Sequence, residues 1–364
     1  MDTQIANSAQ DKIHFKNLDG IRAMAAIMVI LSHLPVGHTF PNEIIQKIWE
    51  FAKNGRHGVY IFFVLSGFLI TRLILSNTNF TLKKFYLKRI YRIWPLYYLV
   101  LAINFLIILP LLNINNQYPG NNIWLHLFFL SNFNLYDLLI NGTKLLPALN
   151  IGWSVSIEEQ FYLFWPLIFI FFTKNKTRIV FIFILMVISM YFTNNIVSKN
   201  GAHNFTTTSA IWDLGFGALL AFFHLHLKNQ LIKIPKLLNI AIYFFIISYL
   251  SKILDFNIHL PFERFLNSLC YGYLIFEQCT NSKNIFQLDK IPLFSYLGKI
   301  SYGIYLLHPL CLLVVDSILV YILGYGLLRN LLIMGIGIPF IFFTSHISYR
   351  YYESYFLRLK EKIG

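Results

Sequence analysis

The chain has 364 residues, of which 57% are hydrophobic and 13% charged, and its formal net charge is +14. No soluble domain of this length needs so much apolar surface, so the composition points to an integral membrane protein. The positive charge does not read as a nucleic-acid surface. A nucleic-acid reader gathers its basic residues on one aqueous face, and here they lie between apolar segments.

The first 17 residues are polar and lack the layout of a cleavable secretory signal, so the first apolar run is expected to target the chain. A span needs about 20 mostly apolar residues. Runs of that kind fall near residues 18–37, 57–76, 93–112, 153–173, 179–197, 209–227, 237–254, 262–280, 297–320 and 326–346, which makes ten. Lys and Arg concentrate before the first run, after the last, and in alternate connections, as in Lys83, Lys84, Lys88, Arg89 and Arg92. The positive-inside rule then makes both termini cytoplasmic.

The expected fold is an all-α integral membrane protein of about ten transmembrane helices. Residues 1–17 form a cytoplasmic segment, 18–346 the membrane domain and 347–364 a cytoplasmic tail. Residues 122–140 are apolar enough for an eleventh span, but counting it would move Lys174, Lys176 and Arg178 outside and invert everything after them. Residues 113–152 are therefore expected to form one outer loop with a partly buried or re-entrant piece, which is tolerable only if protein surrounds its backbone. Cys270, Cys279 and Cys311 lie in or beside apolar stretches and read as core residues rather than a disulfide framework. No internal repeat is visible.

Polar residues inside these runs carry the chemistry. Arg22 and His33, eleven positions apart in LDGIRAMAAIMVILSH, share a helix face with a rise of roughly 16 Å between them. An intramembrane Arg costs at least about 2.5 kcal/mol on insertion scales, so Arg22 should face a partner or a wet cavity. In the second run Ser66 and Gly67 interrupt bulky residues, as close helix packing also would. Arg72 lies near its inner end, and Lys88, Arg89 and Arg92 follow in KRIYRIWPLYY. Together with Arg22 these cations can ring an inner mouth and hold a phosphorylated ligand, although lipid contact and topology account for each one singly.

The fourth run opens WSVSIEEQFYLFWP. Ser156 and Glu159 have capping-box spacing, which gives Glu159 a structural role. Glu158 has none, and its estimated depth matches that of His33, so the two are expected to meet, with the carboxylate orienting an imidazole general base. Tyr162 shares the face of Glu158. His308, before Pro309, is the other deep histidine; it serves either the site or a kinked backbone. The sequence offers no metal-ligand spacing, no glycine-rich phosphate loop and no nucleophile elbow, so neither a metal nor a bound cofactor is expected.

With FFVLSGFLITR and LGKISYGIYLLHP added in order, these motifs make the chain resemble the membrane acyltransferase 3 family from about residue 18 to residue 356. The resemblance implies transfer of an acyl group, usually acetyl, from cytoplasmic acyl-CoA to a hydroxyl of a surface glycan. O-antigen of lipopolysaccharide, exopolysaccharide and lipid-linked precursors are all candidate acceptors, and the bacterial inner membrane is the implied location. It matches Arg22 and His33 to the family's Arg/His pair, Ser66 to Leu69 to its SGFL motif, and Lys88, Arg89 and Arg92 to its basic patch. It also matches Glu158 to the glutamate of the WSxxxE pattern that Trp153 opens. The usual closing Glu-x-Pro-Phe reads Glu353-Ser354-Tyr355-Phe356 here. Some members carry a fused extracytoplasmic domain, which is not expected from this chain. Tyr118, Trp124 and Tyr136 are candidates for stacking on the sugar. A secondary transporter using the same Arg, His and Glu as a pathway is the rival reading, and a catalytically dead acyl-CoA sensor or scaffold is a third.

Overall fold

A computed structural model describes residues 15–35, 42, 46, 49–50, 55–112, 121–142, 146–195, 204–227, 234–250, 260–280 and 287–363. Tyr118, together with His14, His38, His203 and His259, lies outside the described residues. The regular structure among the described residues is helical throughout: α1 (Lys16–His33), α2 (Arg56–Ser76), α3 (Leu82–Leu112), α4 (Ile123–Leu127), α5 (Ser131–Asn141), α6 (Gly152–Phe171) and α7 (Asn175–Asn195). Then come α8 (Thr207–His226), α9 (Lys236–Leu250), α10 (Leu260–Thr280), α11 (Pro292–Lys299), α12 (Ser301–Leu323) and α13 (Leu327–Glu361).

Each of the ten apolar runs carries a helix. Among the described residues, six helices are long and apolar enough to cross a membrane: α2, α3, most of α7, α8, α12 and α13. The others are shorter, like α9, or hold the polar groups of interest: Asp19 and Arg22 on α1, Glu158 and Glu159 on α6, Glu263, Arg264 and Glu277 on α10. With its many apolar helices, the chain is a multi-pass membrane protein. Exposed apolar side chains such as Phe183, Phe244, Tyr321 and Phe343 fit a lipid-facing surface.

Several boundaries differ from the sequence reading. The basic segment 83–92 belongs to α3, which starts where Thr81 caps it by accepting from the Lys84 N–H at 3.4 Å. Residues 122–140 form two short helices, α4 and α5, separated by a break in which Phe129 has φ 54°. Neither helix is long enough to span, and His126, Asn132 and Asn134 are buried against protein. The tail after residue 346 continues α13 through a π-turn at Ser348–Glu353.

At the centre, α2 and α8 pack together more extensively than any other pair. Gly67 faces the Leu214 carbonyl and Gly217 the Val64 carbonyl, and a Cβ on either glycine would stand 1.9 Å from that oxygen. Gly67 thus serves the close helix approach that small residues permit. This crossing, with α1 packed on both α2 and α11, fixes the wall of the site.

Candidate functional site

The few polar residues on α1, α2, α3, α6 and α12 turn toward one another. Between them lies a cavity enclosing about 840 Å³ of empty space, open mouth included. Arg22, Arg89, Arg92, Ser301 and Tyr302 line one part of it. In the middle, Ser66 Oγ donates to Glu158 Oε1 at 2.7 Å and the Tyr162 hydroxyl to Glu158 Oε2 at 3.1 Å. The Tyr162 oxygen is also 3.1 Å from Ser66 Oγ. Further along, Ser154 and Tyr305 share a hydrogen bond, and the Tyr305 ring lies 6.0 Å from that of Phe62.

The cations of this cavity differ in their partners. Arg22 Nη1 donates to Asp19 Oδ1 at 2.7 Å. Arg89 and Arg92 form no ion pair among the described residues, and the buried Arg89 Nε has no hydrogen-bond partner. The Arg89 guanidinium instead lies 5.5 Å from the Tyr162 ring centroid, a cation–π contact that leaves its donors available to a ligand. A planar fork of that kind suits a phosphate.

One turn beyond Tyr305, His308 is fully buried, its ring 6.0 Å from that of Tyr305 and 5.0 Å from that of His33. His33 ends α1 with Nδ1 2.8 Å from the Val29 carbonyl and 3.1 Å from Ser32 Oγ. A carbonyl only accepts, so the neutral ring carries its proton on Nδ1 and keeps the Nε2 lone pair. His308 repeats this arrangement with the Ile304 carbonyl at 3.2 Å, and its Nε2 is buried without a partner.

Arg22, Ser66, Arg89, Arg92, Glu158 and Tyr162, all singled out from sequence, therefore share one cavity, and His33 and His308 pair beside it. The expected meeting of His33 with Glu158 does not occur. No contact joins them among the described residues, because equal depth on two helices leaves their relative rotation open. The capping box fails as well. Helix α6 begins at Gly152, so Ser156 lies inside it, its Oγ 2.8 Å from Ser131 Oγ, and Glu159 turns away to accept from Trp94 Nε1 at 2.9 Å.

Arg72 stands apart from the cavity lining. Buried on α2, it donates from Nε to His224 Nδ1 on α8 at 3.4 Å. Lys88 is near the cluster without lining the cavity. Trp153 packs edge-on against Phe205 at 4.8 Å and Phe63 at 5.9 Å. In the α4–α5 region Trp124 is exposed and Tyr136 partly so. The three cysteines are free, and Cys270 and Cys311 are buried as expected of core residues while Cys279 is half-buried. Asp19, Ser154, Tyr302 and Tyr305 were missed. Tyr302, Tyr305 and His308 recur every three residues in SYGIYLLH, a spacing that places them along one helix face.

A cavity lined by Arg22, Arg89, Arg92 and Glu158 among apolar helices is the central feature of this membrane protein. The chain belongs to the acyltransferase 3 family, whose profile, described as an acyltransferase domain, matches residues 15–350. It is 29% identical over 364 residues to a Staphylococcus aureus (strain COL) protein provisionally named an O-acetyltransferase, covering 94% of this chain and 57% of that one. It is 35% identical over 172 residues to the peptidoglycan O-acetyltransferase OatA of Listeria monocytogenes (strain EGD-e), covering 44% of this chain and 25% of that protein. An uncharacterised Haemophilus influenzae protein is 34% identical over 199 residues, 49% of this chain and 79% of its own. The chain thus spans little more than half the length of the Staphylococcus relatives it matches. No solved structure matches.

Proposed function

We propose that this protein is an inner-membrane O-acyltransferase that moves an acyl group, acetyl by analogy with its named relatives, from cytoplasmic acyl-CoA to a hydroxyl of an extracytoplasmic glycan. Ten spans with both termini cytoplasmic complete this reading, and residues 113–152 form its outer loop. The observation that carries it is the cavity itself. Arg89 and Arg92, which form no ion pair among the described residues, share it with the Ser66–Glu158–Tyr162 cluster, and Tyr305 connects it to the His308–His33 pair.

In this mechanism Arg89, Arg92 and Arg22 hold the donor's phosphates and the slender pantetheine arm enters the cavity. Glu158 fixes Ser66 and Tyr162 in the wall and so positions the arm. His33, held by the Val29 carbonyl with Nε2 available, removes the acceptor's hydroxyl proton as that oxygen attacks the thioester carbonyl. The C–O bond forms, the C–S bond breaks, and the CoA thiolate leaves to be protonated. Such a base contributes about 10²- to 10⁴-fold in rate. Trp124 and Tyr136 offer faces on which a sugar can stack. The test is acyl transfer from radiolabelled acetyl-CoA into envelope glycans by membranes containing wild type or His33→Ala at matched protein levels. Labelling by wild type that vanishes in the variant supports the reading. Labelling that survives in His33→Ala removes the base, and ligand flux without a covalent product would favour a transporter.

A further inference from the structure

The last turns of α13, which the sequence presents as a tail, pack against the site. Within the π-helical turn at Ser348–Glu353, the Tyr352 hydroxyl donates to the Pro95 carbonyl at 3.1 Å, and beyond it Ser354–Glu361 lies along α3. A helix of 35 residues is about 52 Å long at 1.5 Å per residue and outruns a hydrocarbon core of about 30 Å. These turns therefore stand outside the span.

The packing brings a half-buried Lys360 into electrostatic reach of Arg92, Arg89 and Lys88 on α3. Burial first, then those three positive charges, push its ammonium down to about 7, against a smaller opposing pull from its neighbour Glu361. Lys360, Arg89 and Arg92 form no ion pair among the described residues. Glu158 and Glu159 act on Arg89, Glu353 on Arg92 and Glu361 on Lys360 from a distance, without a bonded ion pair among the described residues. Like charges packed together repel, so an anion bonded among these cations would stabilise the arrangement. Arg89 and Arg92 also line the cavity, so a phosphate held here has its substituent directed into the protein.

We propose that Lys360 is a ligand for the donor's phosphates, and that with Arg89 and Arg92 it closes a coenzyme A head-group site built from α3 and the carboxy-terminal turns of α13. This rests on the acyl-CoA part of the function proposed above. A lipid headgroup presents the same phosphate chemistry, and the test separates the two sources.

Purified protein in phosphatidylcholine nanodiscs is titrated with coenzyme A and with S-acetylpantetheine, which has no phosphate, using wild type, Lys360→Met and Lys360→Arg. Affinity for coenzyme A is expected to fall about tenfold in Lys360→Met and to persist in Lys360→Arg, while S-acetylpantetheine binding stays unchanged. An equal loss for both ligands, or no loss for coenzyme A, overturns the proposal. So does a Lys360 dependence that appears only for phosphatidylglycerol added to the nanodiscs. Binding is read without transfer, so a protein that holds coenzyme A through Lys360 but acylates nothing would overturn the transferase reading and leave this site standing.

Discussion

Two sets of cations inside this molecule look alike in the sequence and differ in the structure. On one side of the α2–α8 crossing, Arg264 reaches Asp213 Oδ2 from Nη2 at 2.7 Å and from Nε at 3.2 Å, while Ser268 donates to Asp213 Oδ1 at 2.8 Å. Arg329 likewise pairs with Asp316 and donates to the Pro35 carbonyl at 3.2 Å. In the cavity, Arg89 and Arg92 form no ion pair among the described residues, and Lys360, outside its lining, adds a third charge of the same sign within electrostatic reach. A buried cation with a fixed partner is part of the fold. A group of cations without one is stabilised by an anion that binds there, which is why the proposed function assigns the donor's phosphates to the second set and not the first.

Breaking the paired set has the largest expected effect on the fold. Asp213 is 1% exposed, so Asp213→Ala strands the largely buried Arg264, 12% exposed, and is expected to cost about 3 kcal/mol, read as a lower thermal midpoint and poor yield in detergent. The unpaired set should respond in the opposite way. Arg89→Met is expected to weaken coenzyme A binding by tenfold or more, on the scale of about 1.5–3 kcal/mol for a charged hydrogen bond. Its thermal midpoint should stay level or rise as repulsion from Arg92 is relieved. A thermal collapse in Arg89→Met would erase the contrast. The smallest effect is on the wall between the two sets. Ser66→Ala removes one donor from buried Glu158 and is expected to cost about 1–3 kcal/mol, seen as a modest drop in thermal midpoint with a larger drop in transfer rate.

Much of this was legible in the sequence. Periodicity and hydropathy located the apolar helices. The polar interruptions in them named Arg22, Arg89 and Arg92 as part of an inner ring of cations and Glu158 and Tyr162 as members of a separate outward-facing pocket with His33, while helix packing explained Ser66 as well. The structure brings all of these but His33 into one cavity. The sequence could not report rotation about helix axes. Equal estimated depth therefore suggested a His33–Glu158 contact, whereas α1 aims His33 at His308. For the same reason Arg72, on the same helix as Ser66, reads as a member of the ring with Arg22, Lys88, Arg89 and Arg92 but turns to His224. Ser156 and Glu159 imitated a capping box because the true helix start, at Gly152, carries no side-chain cap to announce it. Tyr302 and Tyr305 were hidden because an aromatic on an apolar helix has the same signature whether it packs or lines a cavity. Lys360 was read only as a topology signal because nothing local indicates that α13 continues past residue 346.

The central claim, that the unpaired cations hold the donor, is tested most directly by photolabelling the protein with a coenzyme A analogue carrying a photoreactive adenine and mapping the modified peptides. The account predicts labelling on α3 around Arg89 and Arg92 and on the last turns of α13, competed away by unmodified coenzyme A. Competed labelling around Arg264 and Asp213, or around Arg72, with α3 and α13 unmarked, would contradict it.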